Sequence, residues 1–449
     1  MRYMELIRSC VFFLFILLCI TVNIIVSQMS IVGAVINVMP ILILHPSLKL
    51  PWFDKLFIFF VLNILIGPFI SFNFDELKLV NLGRIDYFIG NLIIIYYLFV
   101  QNRYNIKRSH CIFIFLLSVF LFFSFVFDSS DLIVKFNEYY GFYSKLSVAF
   151  SLYLIVSNLD KITNGYVKQL LFLLVFLHLS LSIIQLFYPF YIRIGSIESG
   201  IHIGGRLFNR PLGFFESSYV YGVHTIFLCY LFIKVCGRGK INDLVVILLC
   251  LVSFLSTRSA LLAFVLFLFF VSIRKIYSYQ KYVIIFLGSL CFIYLMRSNV
   301  ELFLVDQSNS TKLLLWYLTL KEFFFNSTFT QLLFGHGIDS ASYISLALPN
   351  FVNELSFDAV YDNRVDLREG FPIHNVYVQT LFEHGILVFF AVIVPVFKSI
   401  QYSLKRDTDL FLVFLLLTIF FQYLLHNGIF AVYLYLICLI GLGNIKNAY

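Results

Sequence analysis

Fourteen apolar stretches divide this chain, each near the length of about 20 residues that carries a helix across a bilayer. They cover 9–26, 30–47, 56–72, 86–101, 111–127, 139–157, 169–190, 217–236, 242–256, 258–273, 281–296, 376–397, 409–425 and 427–443. A water-soluble fold cannot hide that many apolar helices. Composition agrees: 61% of the 449 residues are hydrophobic and 12% charged, against about 25% charged in soluble domains. Fifty-six Phe and 28 Tyr suit lipid-facing and interfacial positions. The expected class is therefore an all-α, polytopic integral membrane protein.

The first stretch, preceded by Arg2 and Arg8, could imitate a signal peptide, but it lacks a small-x-small cleavage site and more apolar stretches follow. An uncleaved first helix is expected. Orientation follows from Lys and Arg in the connections. With the N-terminus in the cytoplasm, 19 of the 32 basic residues fall inside, almost all in short loops, and the C-terminus is cytoplasmic too. The net charge of +8 is thus a topology signal, and it does not require a nucleic-acid partner. All eight cysteines lie in or beside apolar stretches without metal-ligand spacing. Buried free thiols are expected there rather than disulfides or a zinc site.

Residues 297–375 form an external connection far longer than any other, and a structureless stretch of that size would be unusual. It separates a first membrane region, 1–296, from a C-terminal one, 376–449. A smaller external loop covers 191–216. Within the long loop, 311–325 is too short and too charged to span. It is expected to lie at the interface as an amphipathic helix with Trp316 as its anchor. Residues 353–370 are polar and charged, and are expected to border a cleft.

Charged groups at a membrane boundary are costly and hence functional candidates. Arg206 and Arg210 lie in the segment Gly-Gly-Arg-Leu-Phe-Asn-Arg-Pro-Leu-Gly, and Arg258 lies in the outer turn Ser-Thr-Arg-Ser. Guanidinium groups bind phosphate through paired, charge-assisted hydrogen bonds, so a converging set would suit a diphosphate. Each alone could instead pair with a carboxylate or snorkel to lipid phosphate. His374, in Pro372-Ile-His-Asn375, falls where the long loop re-enters the membrane. A histidine there could take a proton from an attacking sugar hydroxyl, bind a diphosphate or sugar, or be structural. Glu383 is either a buried structural acid or a partner for an arginine. Arg364, Arg368, Glu216, Asn375 and Tyr377 complete the candidate substrate-binding set.

Other motifs are discounted. Asp407-Thr-Asp409 has the spacing of a metal-binding pair but falls in a cytoplasmic turn beside Lys405 and Arg406. Asn309-Ser-Thr and Asn326-Ser-Thr match a short acceptor pattern that arises by chance. Gly335-His336-Gly337 is too short for a phosphate loop. Walker, dinucleotide, Ser-His-Asp and paired-cysteine signatures are missing from the sequence, so no cofactor is expected.

Four segments resemble the O-antigen polymerases and O-antigen ligases, bacterial membrane glycosyltransferases. Arg210-Pro-Leu-Gly213 is similar to the family's Arg-x-x-Gly segment, although Glu216 stands where many members have Pro-Asn or similar. Ser256-Thr-Arg258-Ser-Ala is similar to its Ser-Arg-Gly/Ser-Ala segment. Trp316 with Gly335-His-Gly337 resembles the Trp and Gly-x-Gly of the long external loop. His374-Asn375-x-Tyr377 with Glu383-x-Gly385 resembles its most distinctive element. The likeness covers roughly 200–395. Twelve spans are usual in the family, so 12–14 transmembrane helices are expected here, one or two of the fourteen stretches being re-entrant or interfacial.

The resemblance implies an inverting, metal-independent glycosyltransferase with an external site in the bacterial cytoplasmic membrane. Its donor would be a glycan on undecaprenyl diphosphate. Arg210 and Arg258 would hold the diphosphate, and His374 would activate the acceptor hydroxyl or orient the diphosphate. A chain-length regulator protein is a partner by resemblance only. A repeat-unit polymerase is favoured, because such enzymes commonly share this Phe/Ile/Tyr-rich character. The product would be O-antigen, capsule or a related polysaccharide. The ligase that transfers finished polymer to lipid A core differs only in its acceptor. A flippase would explain the spans, though less readily the long loop and the outer cluster of Arg and His.

Overall fold

The computed structural model describes residues 108–128, 132–157, 159, 165–188, 201–203, 206–213, 218–274, 315–337, 340, 373, 375–405, 410–425, 436 and 439–440. The predicted stretches 9–26, 30–47, 56–72, 86–101 and 281–296 lie outside the described residues. Of 427–443, only Leu436, Leu439 and Ile440 are described, and they are helical.

Long helices dominate. In chain order they are α1 (Arg108–Phe127), α2 (Leu132–Val156), α3 (Gly165–Phe187), α4 (Ser218–Cys236), α5 (Lys240–Ser256) and α6 (Arg258–Arg274). In the long loop, a helical segment at 315–321 runs into a π-turn, Glu322–Asn326, and then the short α7 (Phe329–Phe334). The series closes with α8 (Val376–Lys405) and α9 (Leu410–Leu425). The connection between α3 and α4 holds an antiparallel pair, β1 (Ile201–Ile203) and β2 (Arg206–Phe208), with His202 opposite Leu207. An all-α reading omits this pair. It is three residues on each side, too short for period-two alternation to stand out.

Among the described residues, three segments are long and apolar enough to cross a membrane: Ser109–Phe127, Val167–Phe187 and Val376–Tyr402. Tyr221–Cys236 and Phe411–Leu424 are apolar but shorter. On α1 the residues Phe113, Leu117, Leu121 and Ser124 are buried, at helical spacing, while Phe115, Phe122 and Val126 on other faces are exposed. A helix apolar on every side belongs in a core or in lipid, since water would penalise its outer phenylalanines.

One core unites most of these helices. α9 packs against α4, α6 and α8, and α4 packs against α3 and α5. Phe414 of α9 sits among Phe254, Phe264 and Phe267, with ring centroids 5.6–6.1 Å away. Phe254 and Phe264 themselves stack at 4.6 Å. In one continuous helix residues ten apart would lie roughly 15 Å apart, so α5 and α6 fold back on each other at Thr257. Thr257 is extended, with φ −129° and ψ 129°. The neighbouring apolar stretches 242–256 and 258–273, parted in sequence only by Ser256-Thr-Arg-Ser259, thus form a hairpin turning on one residue.

Candidate functional site

The Arg210 segment is held from three directions. Gln185, buried near the end of α3, accepts hydrogen bonds from Leu212 N at 2.9 Å and Gly213 N at 2.7 Å. Its Nε2 donates to Gly213 O at 3.1 Å. Upstream, Asn209 N donates to Leu186 O at 3.2 Å. From the α5–α6 hairpin, Ser256 Oγ donates to Pro211 O at 2.8 Å. Gly213 has φ +56°, and a Cβ there would lie 2.2 Å from His178 Cε1. Only glycine allows both that backbone conformation and that approach.

The Ser256–Pro211 bond brings the Arg210 segment to the turn that carries Arg258, the first residue of α6. The turn is seated on α4: Thr257 Oγ1 lies 2.3 Å from where a Cβ on Gly222 would stand. Arg210 is half-buried. Arg206 belongs to β2, whose register sets it opposite Ile203. Beneath Gly213 lies a buried polar group on α3 and α4. His178 Nε2 lies 3.0 Å from Thr225 Oγ1, and Tyr221 OH donates to Ser182 Oγ at 2.9 Å. Sequence reasoning passed over Gln185, His178 and Ser182. Their signal was available: polar residues at 178, 182 and 185 share one face of an otherwise apolar helix.

Replacing Gln185 with leucine would leave Leu212 N, Gly213 N and Gly213 O without this partner in a buried place. Each unsatisfied group costs about 1–3 kcal/mol. We expect Gln185→Leu to lower stability by roughly 3 kcal/mol or more, read as a fall in the melting transition in detergent. Gln185→Glu keeps the twin acceptor and should lose less.

A second feature is a clasp between the long loop and α8. Gly385 breaks α8, with φ 78° and ψ 179°. At the break, His336 N donates to Phe382 O at 2.9 Å and Gly337 N to Glu383 O at 3.1 Å. The Gly-His-Gly triplet thus occupies carbonyls near the helix interruption. The backbones touch closely: a Cβ on Gly335 would be 2.1 Å from Glu383 O, and one on Gly385 would be 2.4 Å from Leu333 O. The His336 ring stacks on Phe382 at 4.3 Å and 1°, with its Nε2 2.6 Å from Ser327 Oγ.

This clasp closes a small second core of Phe323, Ile373, Leu381 and Phe382. Trp316, expected as a lipid anchor, turns inward and donates its Nε1–H to Ile373 O at 2.8 Å. That bond fixes the residue immediately before His374. Asn375 caps α8, its Oδ1 accepting from Tyr377 N and Val378 N, both at 3.0 Å. Tyr377 is buried, and its hydroxyl donates to Phe420 O of α9 at 3.3 Å. Glu383 is buried, and Gln379 Nε2 donates to its Oε1 at 3.1 Å and Oε2 at 3.2 Å. Among the described contacts, Asn375 and Tyr377 therefore organise the helix start. His374, Glu216, Arg364, Arg368, Asn309, Asp407 and Asp409 lie outside the described residues.

Burial lowers the His336 imidazole below its ordinary 6.5, opposed by the Glu322 carboxylate. The folded clasp therefore favours the neutral ring. Its contribution is fully present above about pH 6.5 and is lost as pH falls through the lowered folded value. We expect faster limited proteolysis of the long loop at about pH 5 than at about pH 7.5. His336→Phe, which can still stack on Phe382, should remove the difference.

Comparison with known proteins returns no matching family model and no similar curated protein.

Proposed function

We propose that this chain is a membrane glycosyltransferase that joins undecaprenyl-diphosphate-linked repeat units into a surface polysaccharide on the outer face of the bacterial cytoplasmic membrane. The observation that carries this reading is the Ser256–Pro211 hydrogen bond, which joins segments 45 residues apart. Both segments carry an arginine that the family resemblance assigns to the donor diphosphate.

The chemistry follows from charge. Arg258 opens α6, where the N-terminal end of the helix already creates positive potential. A cation at that place is unfavourable alone, and an anion beside it relieves both the arginine and the helix end. A diphosphate between Arg210 and Arg258 meets that need. The acceptor hydroxyl of one repeat unit attacks the anomeric carbon of the other, and the bond to the diphosphate oxygen breaks. Undecaprenyl diphosphate departs with the electron pair, its growing charge met by the two guanidinium groups. His374, beside the Trp316–Ile373 tie, takes the hydroxyl proton or steadies the diphosphate.

A deletion strain tests the reading. Loss of the gene should leave a single repeat unit on the core, and wild type should restore the ladder. Full-length polymer accumulating on undecaprenyl diphosphate would instead identify a ligase. An unchanged ladder would overturn both.

A further inference from the structure

The long loop carries a surface that the arginine junction and the clasp leave unused. In the π-turn Glu322–Asn326, Phe323 points into the second core and is fully buried, whereas Phe324 and Phe325 are 55% and 82% exposed. Phe329, which opens α7, is 75% exposed, and Tyr317 one helix earlier is also exposed. The conformation is held locally. Asn326 Nδ2 donates to Glu322 Oε2 at 2.6 Å, and Thr328 and Gln331 form a reciprocal capping box at the start of α7. These aromatics are therefore presented outward by a built turn.

Their position indicates what covers them. Phe334, at the end of α7, packs its ring 5.0 Å from Phe123 and 5.5 Å from Phe127. Those two residues lie in the last turns of Ser109–Phe127, a segment of membrane-crossing length, and both remain exposed. The loop aromatics thus continue the outer face of α1 at the level where that helix ends. Phenylalanine has no polar atom to offer water or a polar protein partner. It suits the boundary of headgroups and acyl chains, and neighbouring Lys321 and Glu322 suit the headgroup side.

We propose that Phe324, Phe325 and Phe329 insert into the outer lipid interface and anchor the long loop to the membrane beside α1. This role replaces the one expected for Trp316, whose indole is engaged by Ile373. The partner is the lipid surface, whichever reaction the arginine junction serves.

Full-length protein in nanodiscs of phosphatidylethanolamine and phosphatidylglycerol gives the test. The chain has two tryptophans, so the emission added by Phe325→Trp, and separately by Phe329→Trp, is measured against the parent. Both positions are exposed, and a matching size-exclusion profile confirms that folding is retained. The added emission should fall roughly two-fold or more with lipid brominated near the headgroup end of the acyl chain. Bromine near the terminal methyl should quench less, and aqueous iodide little. Quenching by iodide with no response to brominated lipid would overturn the proposal and leave the turn in water. Resistance to both quenchers would overturn it too, and would point to cover by another segment or a second copy of the chain.

Discussion

Gly385→Ala, and equally Gly335→Ala, should nearly abolish the yield of folded, monodisperse protein. A side chain at either site meets two obstacles. Alanine at φ 78° or 87° costs about 1–2 kcal/mol. The added Cβ would also strike backbone atoms, at 2.4 and 2.6 Å from Leu333 O and Gly335 N in one case and 2.1 Å from Glu383 O in the other. Main chain cannot rotate away as a side chain can, so the loop must separate from α8. Separation breaks the His336–Phe382 and Gly337–Glu383 hydrogen bonds and opens the core around Phe323. The sum exceeds about 4–5 kcal/mol, an exceptional value for one substitution. Gly237 is the control. Its φ is +79°, yet a Cβ there would meet nothing within 4 Å, so Gly237→Ala should cost only about 1–2 kcal/mol. Size-exclusion yield and melting transitions in detergent read the difference. Equal yields for all three variants would mean that the clasp does not hold the loop.

Arg210→Ala and Arg258→Ala should each slow polymer formation by about 10²–10³-fold without lowering the melting transition comparably. On the proposed function their stabilisation acts on charge that grows on the leaving diphosphate, so the loss belongs in kcat more than in KM. Lysine at either place restores the charge but not the two-pronged geometry, and should recover only part of the rate. The double variant should be little worse than either single one, because the two guanidinium groups act on one leaving group. Reaction rates in vesicles at matched protein content measure this. Losses that follow stability would assign the arginines a structural role, and losses that multiply fully would show that they do not act on one leaving group.

The long helices were legible because bilayer length and near-continuous hydropathy leave few alternatives: α1, α3, α4 and α8 begin or end within a few residues of the predicted stretches. The closeness of Arg210 to the Arg258 turn was suggested by a shared boundary level, but the connecting Ser256 hydroxyl was not. A serine in an apolar run does not declare which carbonyl it will reach. Gly335 and Gly385 were visible as residues, yet their mutual contact depends on two backbones meeting across 50 residues of chain. Trp316 shows the limit of residue type as a guide. An indole suits an interface, and it equally suits any buried carbonyl that needs a donor, here that of Ile373. The π-turn was hidden because Glu-Phe-Phe-Phe-Asn reads as ordinary helix.

Reconstitution of the purified chain in sealed vesicles, with undecaprenyl-diphosphate-linked repeat unit as the sole substrate, tests the central claim most directly. The account predicts oligomers in whole multiples of the repeat, with one undecaprenyl diphosphate released per new linkage and no need for added nucleotide or metal. Repeat units that cross the bilayer chemically unchanged, with no undecaprenyl diphosphate released, would contradict it and make the chain a transporter.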